Sequence, residues 1–133
     1  GCLWNRARTF VFSTAPSPVA TAMTLAHVKA ARLDDSSRAR LAALCSTLAS
    51  ALRPIQSRLS SGRHGPIFPV VLGTPESAIA VAEGLRARGF LAQAIRPPTV
   101  PTGESRVRVA LHADLAPEDV VRLATALLEL CPA

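Results

Sequence analysis

Tyrosine is missing from this chain and tryptophan occurs once, so only Trp4 and four phenylalanines could stack on a base. Nucleic-acid recognition through aromatic platforms therefore has little to work with. Lysine is nearly missing too. Of fifteen basic residues only Lys29 is a lysine, and it lies within a helical pattern among alanines, the setting of an ordinary solvated lysine rather than a Schiff-base one. Cysteine is scarce, and Cys2, Cys45 and Cys131 form neither an even set nor a Cys-x-x-Cys pair. That spacing excludes a disulfide framework, and the free thiols it implies fit a reducing, cytoplasmic compartment. His27, His64 and His112 stand apart, so no metal site is expected. No apolar run reaches the ~18 residues of a membrane-spanning helix. Neither standard Gly-rich phosphate loop is present, nor any Ser-His-Asp or Cys-His spacing, so the chain is expected to carry no catalytic residues of its own.

The 133 residues that remain to be explained are 49% hydrophobic, enough for one domain with a core. The net charge of +6 is carried almost wholly by arginine, which suggests an anionic partner, although the arginines are dispersed rather than blocked. Thr9–Phe12 reads as a strand that hands over through Ser13–Pro18 to a helix, where Val19, Ala22, Met23, Ala26, Ala30 and Leu33 form a small-residue stripe with Met23 in the core. Asp34–Ser37 breaks that pattern. A second helix follows, with Leu41, Leu44, Cys45, Leu48 and Leu52 as its apolar face, and stops before Pro54. Pro54–Gly65 is polar and reads as an exposed loop. Next come an apolar strand over Pro66–Gly73, a helix opened by Thr74-Pro75-Glu76 with the stripe Ala78, Ile79, Ala82 and Leu85 and closed by Gly89, and a strand over Phe90–Ile95. After a proline-rich loop and an alternating strand, Pro117-Glu118-Asp119 opens the last helix. The order predicts an α+β fold: a short sheet of about three strands, the last two an antiparallel hairpin, covered by helices and preceded by long ones.

One stretch concentrates the chemistry. In Ile95–Leu111 (IRPPTVPTGESRVRVAL), Pro97, Pro98 and Pro101 fix φ and remove backbone donors, while period-two alternation puts Val107, Val109 and Leu111 on one face and Arg106, Arg108 and His112 on the other. A guanidinium fork holds a carboxylate or phosphate through two parallel hydrogen bonds, and a rigid mount reduces the entropy lost on binding. Spacing alone favours the ordinary alternative, a solvated arginine face. Thr14 is similarly divided between a plain helix cap and a hydroxyl offered to an anion.

Taken together, Arg8-Thr9-Phe10-Val11-Phe12-Ser13-Thr14-Ala15, Pro66-Ile67 with Pro69-Val70 and Gly73, Ile95-Arg96-Pro97-Pro98-Thr99-Val100-Pro101, and Arg106-Val107-Arg108 followed by Pro117-Glu118-Asp119-Val120 resemble the C-terminal part of the α-oxoamine synthases, pyridoxal-phosphate enzymes of the aspartate-aminotransferase fold. The Ile-Arg-Pro-Pro-Thr-Val-Pro run is most similar to the biotin-pathway branch. That branch joins L-alanine to a pimeloyl thioester, with loss of carbon dioxide, to give 8-amino-7-oxononanoate. The resemblance implies that Arg108 grips the amino-acid carboxylate, that Arg96 is a second carboxylate-handling arginine, that Thr99 contacts substrate, and that Thr14 lies at the subunit boundary, close to the cofactor phosphate or the acyl substrate. It implies a homodimer, with residues 1–15 ending the large cofactor domain and 16–133 forming the small domain. Two departures stand out. The family's Schiff-base lysine and its pyridine-facing aspartate have no counterpart here, so the chain is expected to be an inactive part of a longer protein, consistent with a first residue that is Gly rather than Met. Where the family commonly has Ala-His-Thr, this chain has Asp114-Leu115-Ala116. A related synthase with another acyl donor, and a cofactor-free remnant acting as a binding module, are the alternative readings.

Overall fold

A computed structural model describes Cys2, Arg6, residues 15–59 and residues 65–131. The strand expected at Thr9–Phe12, together with Thr14 and His64, lies outside the described residues. The chain divides into two compact units, Gly1–Asp35 and Ser36–Ala133.

In the first unit, helix α1 (Pro18–Leu33) starts where Pro18 occupies the first turn, a position whose backbone donor would be unpaired in any case. None of its residues is buried, and Met23 is 58% exposed. The expectation of a core methionine is therefore corrected: helical spacing defines an apolar face but does not say what covers it.

The second unit holds the sheet. Helix α2 (Asp35–Ala51) buries Leu44, Cys45 and Leu48. Pro54 cannot donate within an α-helix, and the chain tightens into a 3-10 helix over Arg53–Arg58. The expected exposed loop from Pro54 is corrected here, because Ile55 and Leu59 are buried and Leu59 bridges to Val70. Four-residue spacing placed two apolar side chains on one side of an otherwise polar run, and their burial outweighed its polarity.

Strand β1 (Ile67–Gly73) and the short β2 (Gln93–Ile95) flank β3 (Ser105–Ala110), all antiparallel, in the order β1-β3-β2. Pro69, which cannot donate, is tolerated because β1 is an edge of the sheet. Between β1 and β2, helix α3 (Pro75–Ala87) is capped by Thr74, whose hydroxyl accepts from the Ser77 amide at 3.2 Å. Its other end is closed by a left-handed Gly89 (φ 87°), with Phe90 N–H donating to Leu85 and Gly89 N–H to Arg86. This closure uses Phe90 and so shortens the strand expected over Phe90–Ile95. Helix α4 (Pro117–Leu130) has Ala116 at its N-cap with no side-chain bond, the consequence of the Asp114-Leu115-Ala116 departure. Phe68, Leu48, Leu52, Leu85, Val107 and Leu127 are fully buried at the centre of the core. The α+β class and the three-stranded sheet are as the sequence implied.

Among the described residues one buried side-chain polar atom is unsatisfied: Ser105 Oγ, at the start of β3, has no hydrogen-bond partner there. Removing an orphaned hydroxyl removes its desolvation cost, so Ser105→Ala is expected to raise stability by about 1 kcal/mol in urea titration, whereas Phe68→Ala should cost about 3–5 kcal/mol. The thiols divide likewise. Burial raises the pKa of Cys45 and Cys131, with Arg58 partly opposing it at Cys131, while Cys2 is exposed. A raised pKa means less thiolate at neutral pH, so a thiol-reactive dye should label Cys2 first and the other two only after unfolding.

Candidate carboxylate-binding site

The site begins with the alternation of β3. Its buried face carries Val107 and Val109, which leaves Arg106, Arg108 and Ala110 on the opposite face. Register then decides what each arginine meets. Arg106 stands between Val71 of β1 and Ile95 of β2, and Arg108 between Pro69 and Gln93. Pro69 offers Arg108 no hydrogen-bond acceptor from its side chain, and Gln93 does: Arg108 Nη2 donates to Gln93 Oε1 at 2.6 Å. Arg106 instead turns to an acid, with Nη2 2.7 Å from Glu104 Oε2 and Nε donating to the Glu104 carbonyl at 2.9 Å. Its charge is therefore compensated locally, and that of Arg108 meets no acid in an ion pair among the described residues.

Beyond β2 the proline loop folds back on itself. The Thr99 amide donates to the Arg96 carbonyl at 3.0 Å across the Pro97–Pro98 pair, whose peptide is cis, and Gly103 takes a positive φ of 85° at the turn into β3. The turn brings Arg96 and Thr99 to a cleft of about 470 Å³ that Gln93 and Arg108 also line, and no acidic residue lines it. A second cleft of about 590 Å³ follows the outer edge of β2 toward Glu83 and Arg86 of α3 and shares Gln93, Arg96 and Arg108 with the first. Thus three of the residues singled out in the sequence, Arg108, Arg96 and Thr99, share one cationic cleft. Thr14 lies outside the described residues. Lys29 is exposed on α1, and His112 lines a separate cleft with Asp119. Gln93 was not among the expected site residues. The signal that finds it is strand register, which a nine-residue connection from Arg96 to Glu104 leaves undetermined in the sequence.

The sequence model of the family described as aminotransferase class I and II matches residues 1–127. The chain belongs to this family. Relatives named 8-amino-7-oxononanoate synthase include that of Anaeromyxobacter dehalogenans strain 2CP-C, 47% identical over 98% of this chain and 32% of its own length, and that of Alkalilimnicola ehrlichii, 40% identical over 94% and 32%. The chain spans about a third of the length of the curated relatives it matches. Among solved structures, Sphingomonas wittichii serine palmitoyltransferase superposes with a TM-score of 0.80 at 24% identity, over 97% of this chain and 33% of that one. An 8-amino-7-oxononanoate synthase from Francisella tularensis superposes with a TM-score of 0.75 at 20% identity, over 96% and 37%. These two show the shared fold. Among the solved neighbours, a serine palmitoyltransferase from S. paucimobilis holds pyridoxal phosphate as a PLP–myriocin aldimine. The described residues do not fit attachment of that cofactor, since the single lysine is exposed on α1 and the cleft offers two arginines, an amide and a hydroxyl. They fit an anion. Among the described residues no group of three or more His, Cys, Asp and Glu could hold a metal, and no helix is long and apolar enough to cross a membrane.

The local pairing of Arg106 makes it a support of the strand. A double-mutant cycle of Arg106→Ala with Glu104→Ala is expected to give a coupling of about 0.5–1 kcal/mol in stability, the range of a partly exposed ion pair.

Proposed function

We propose that this chain is the C-terminal part of a pyridoxal-phosphate-dependent 8-amino-7-oxononanoate synthase, an acyltransferase of biotin biosynthesis that joins L-alanine to a pimeloyl thioester with loss of carbon dioxide. The observation that carries the reading is Arg108: an arginine on a sheet face, held by a neutral amide, with no acid beside it in a cleft that also holds Arg96 and Thr99. The identity of about 40–47% to relatives bearing that name supports the choice of substrates. In this reading Arg108 holds the alanine carboxylate through paired hydrogen bonds, Arg96 supplies a second positive charge, and Thr99 contacts substrate. Holding the carboxylate fixes the amino acid's orientation before chemistry, the positioning component of catalysis. The cofactor lies mainly on residues that this chain does not supply, with Thr14 near its phosphate. Residues 1–15 close the cofactor domain and 16–133 form the small domain of a cytoplasmic homodimer. The isolated chain is then inactive.

The test is Arg108→Ala in the complete enzyme. Losing a charge-assisted, two-bond grip of about 3 kcal/mol predicts a rise of about a hundred-fold in the KM for L-alanine, with the pimeloyl thioester KM little changed. An unchanged alanine KM in steady-state assays would sink this assignment.

A further inference from the structure

Resting on the reading of Arg108 as the carboxylate grip, we infer that Gln93 is a positioning residue that aims Arg108 while leaving its charge free for substrate. The two residues are directly opposed on neighbouring antiparallel strands, and their side chains meet at 2.6 Å. On the other side Arg108 faces Pro69, whose ring has no polar atom to share. Gln93 is therefore the only hydrogen-bond partner of the Arg108 side chain among the described residues. A guanidinium carries five N–H donors in a fixed plane. One donor given to an amide oxygen restricts the swing of a long side chain, and the remaining donors still present a fork to a carboxylate.

The neutrality of the partner is the decisive feature, and the same strand provides the contrast. Two residues earlier, Arg106 is held by Glu104 through a carboxylate oxygen at 2.7 Å, and an arginine so paired has its charge already matched. An incoming substrate carboxylate would have to displace that acid. Glutamine has the shape and reach of glutamate without its charge, so Gln93 restrains Arg108 and does not compete for it. Position 93 thereby decides whether the arginine is a strand support, as Arg106 is, or a binding group.

The complete enzyme carrying Gln93→Glu, Gln93→Ala or Arg108→Ala tests this. In Gln93→Glu the new carboxylate pairs with Arg108, and the KM for L-alanine is expected to rise about ten-fold, the effect of one competing charge-assisted hydrogen bond. The kcat at saturating alanine and the pimeloyl thioester KM should stay within about two-fold of the parent enzyme, and the melting temperature should not fall, since burial is unaltered at this exposed position. Raising salt should recover part of the lost alanine affinity in Gln93→Glu by screening the competing pair, and should not do so in Gln93→Ala, whose smaller loss, about three-fold, comes from a less restrained guanidinium. If Arg108→Ala raises the alanine KM and neither Gln93 variant moves it, the role of Gln93 is overturned and that of Arg108 stands. If the Gln93 variants lower the melting temperature and raise both KM values together, Gln93 is a structural residue and the inference also fails. If Arg108→Ala itself leaves the alanine KM unchanged, the carboxylate-grip reading falls and takes this inference with it.

Discussion

Strand β3 lies between β1 and β2, and its period of two sorts every residue along it into core or site. Val107 and Val109 enter the core that α3 and α4 close, so Arg106 and Arg108 have no choice but the other face. A slip of one residue would place two guanidinium groups among Phe68, Leu85 and Leu127, which no local partner could compensate. Burial of the valines thus holds the arginines where they are. The stability of the sheet and the placement of the candidate site are the same constraint.

Within that constraint the two arginines are made different by their neighbours. Both sit on one face of one strand, and both are restrained by a hydrogen bond from Nη2. Glu104, in the turn, neutralises one; Gln93, across the strand pair, restrains the other and leaves it charged. A cleft with two arginines, a threonine and no acid is suited to an anion, and the proline-rich turn from Arg96 to Thr99 supplies a wall with few rotatable bonds. The closure of α3 contributes at a distance. Because Gly89 and Phe90 are used to end that helix, β2 begins late, at Gln93, and its first residue is the one that meets Arg108.

Much of this was legible in the residues themselves. The alternation of Val107 and Val109 with Arg106 and Arg108, the Thr74-Pro75 helix start and the Gly89 stop all depend on backbone sterics and short-range periodicity, and they stand as read. The family resemblance rested on four separated motifs between Arg8 and Val120, and the match of the aminotransferase family over residues 1–127 agrees with it. Where the reading went astray, the deciding force was long-range. Ile55 and Leu59 lie in a polar run that locally resembles a loop, yet both are buried and Leu59 bridges to Val70, and Met23 is exposed because an apolar stripe shows only a tendency to be covered.

The composition and order of the chain determined its class, its elements, its arginine-bearing strand and its family, because each is written in local pattern or in motif. The tertiary structure decided that Arg108 meets Gln93. Pairing across a nine-residue connection is set by the burial of side chains far apart in sequence, and no local rule carries that register from Gln93 to Arg108.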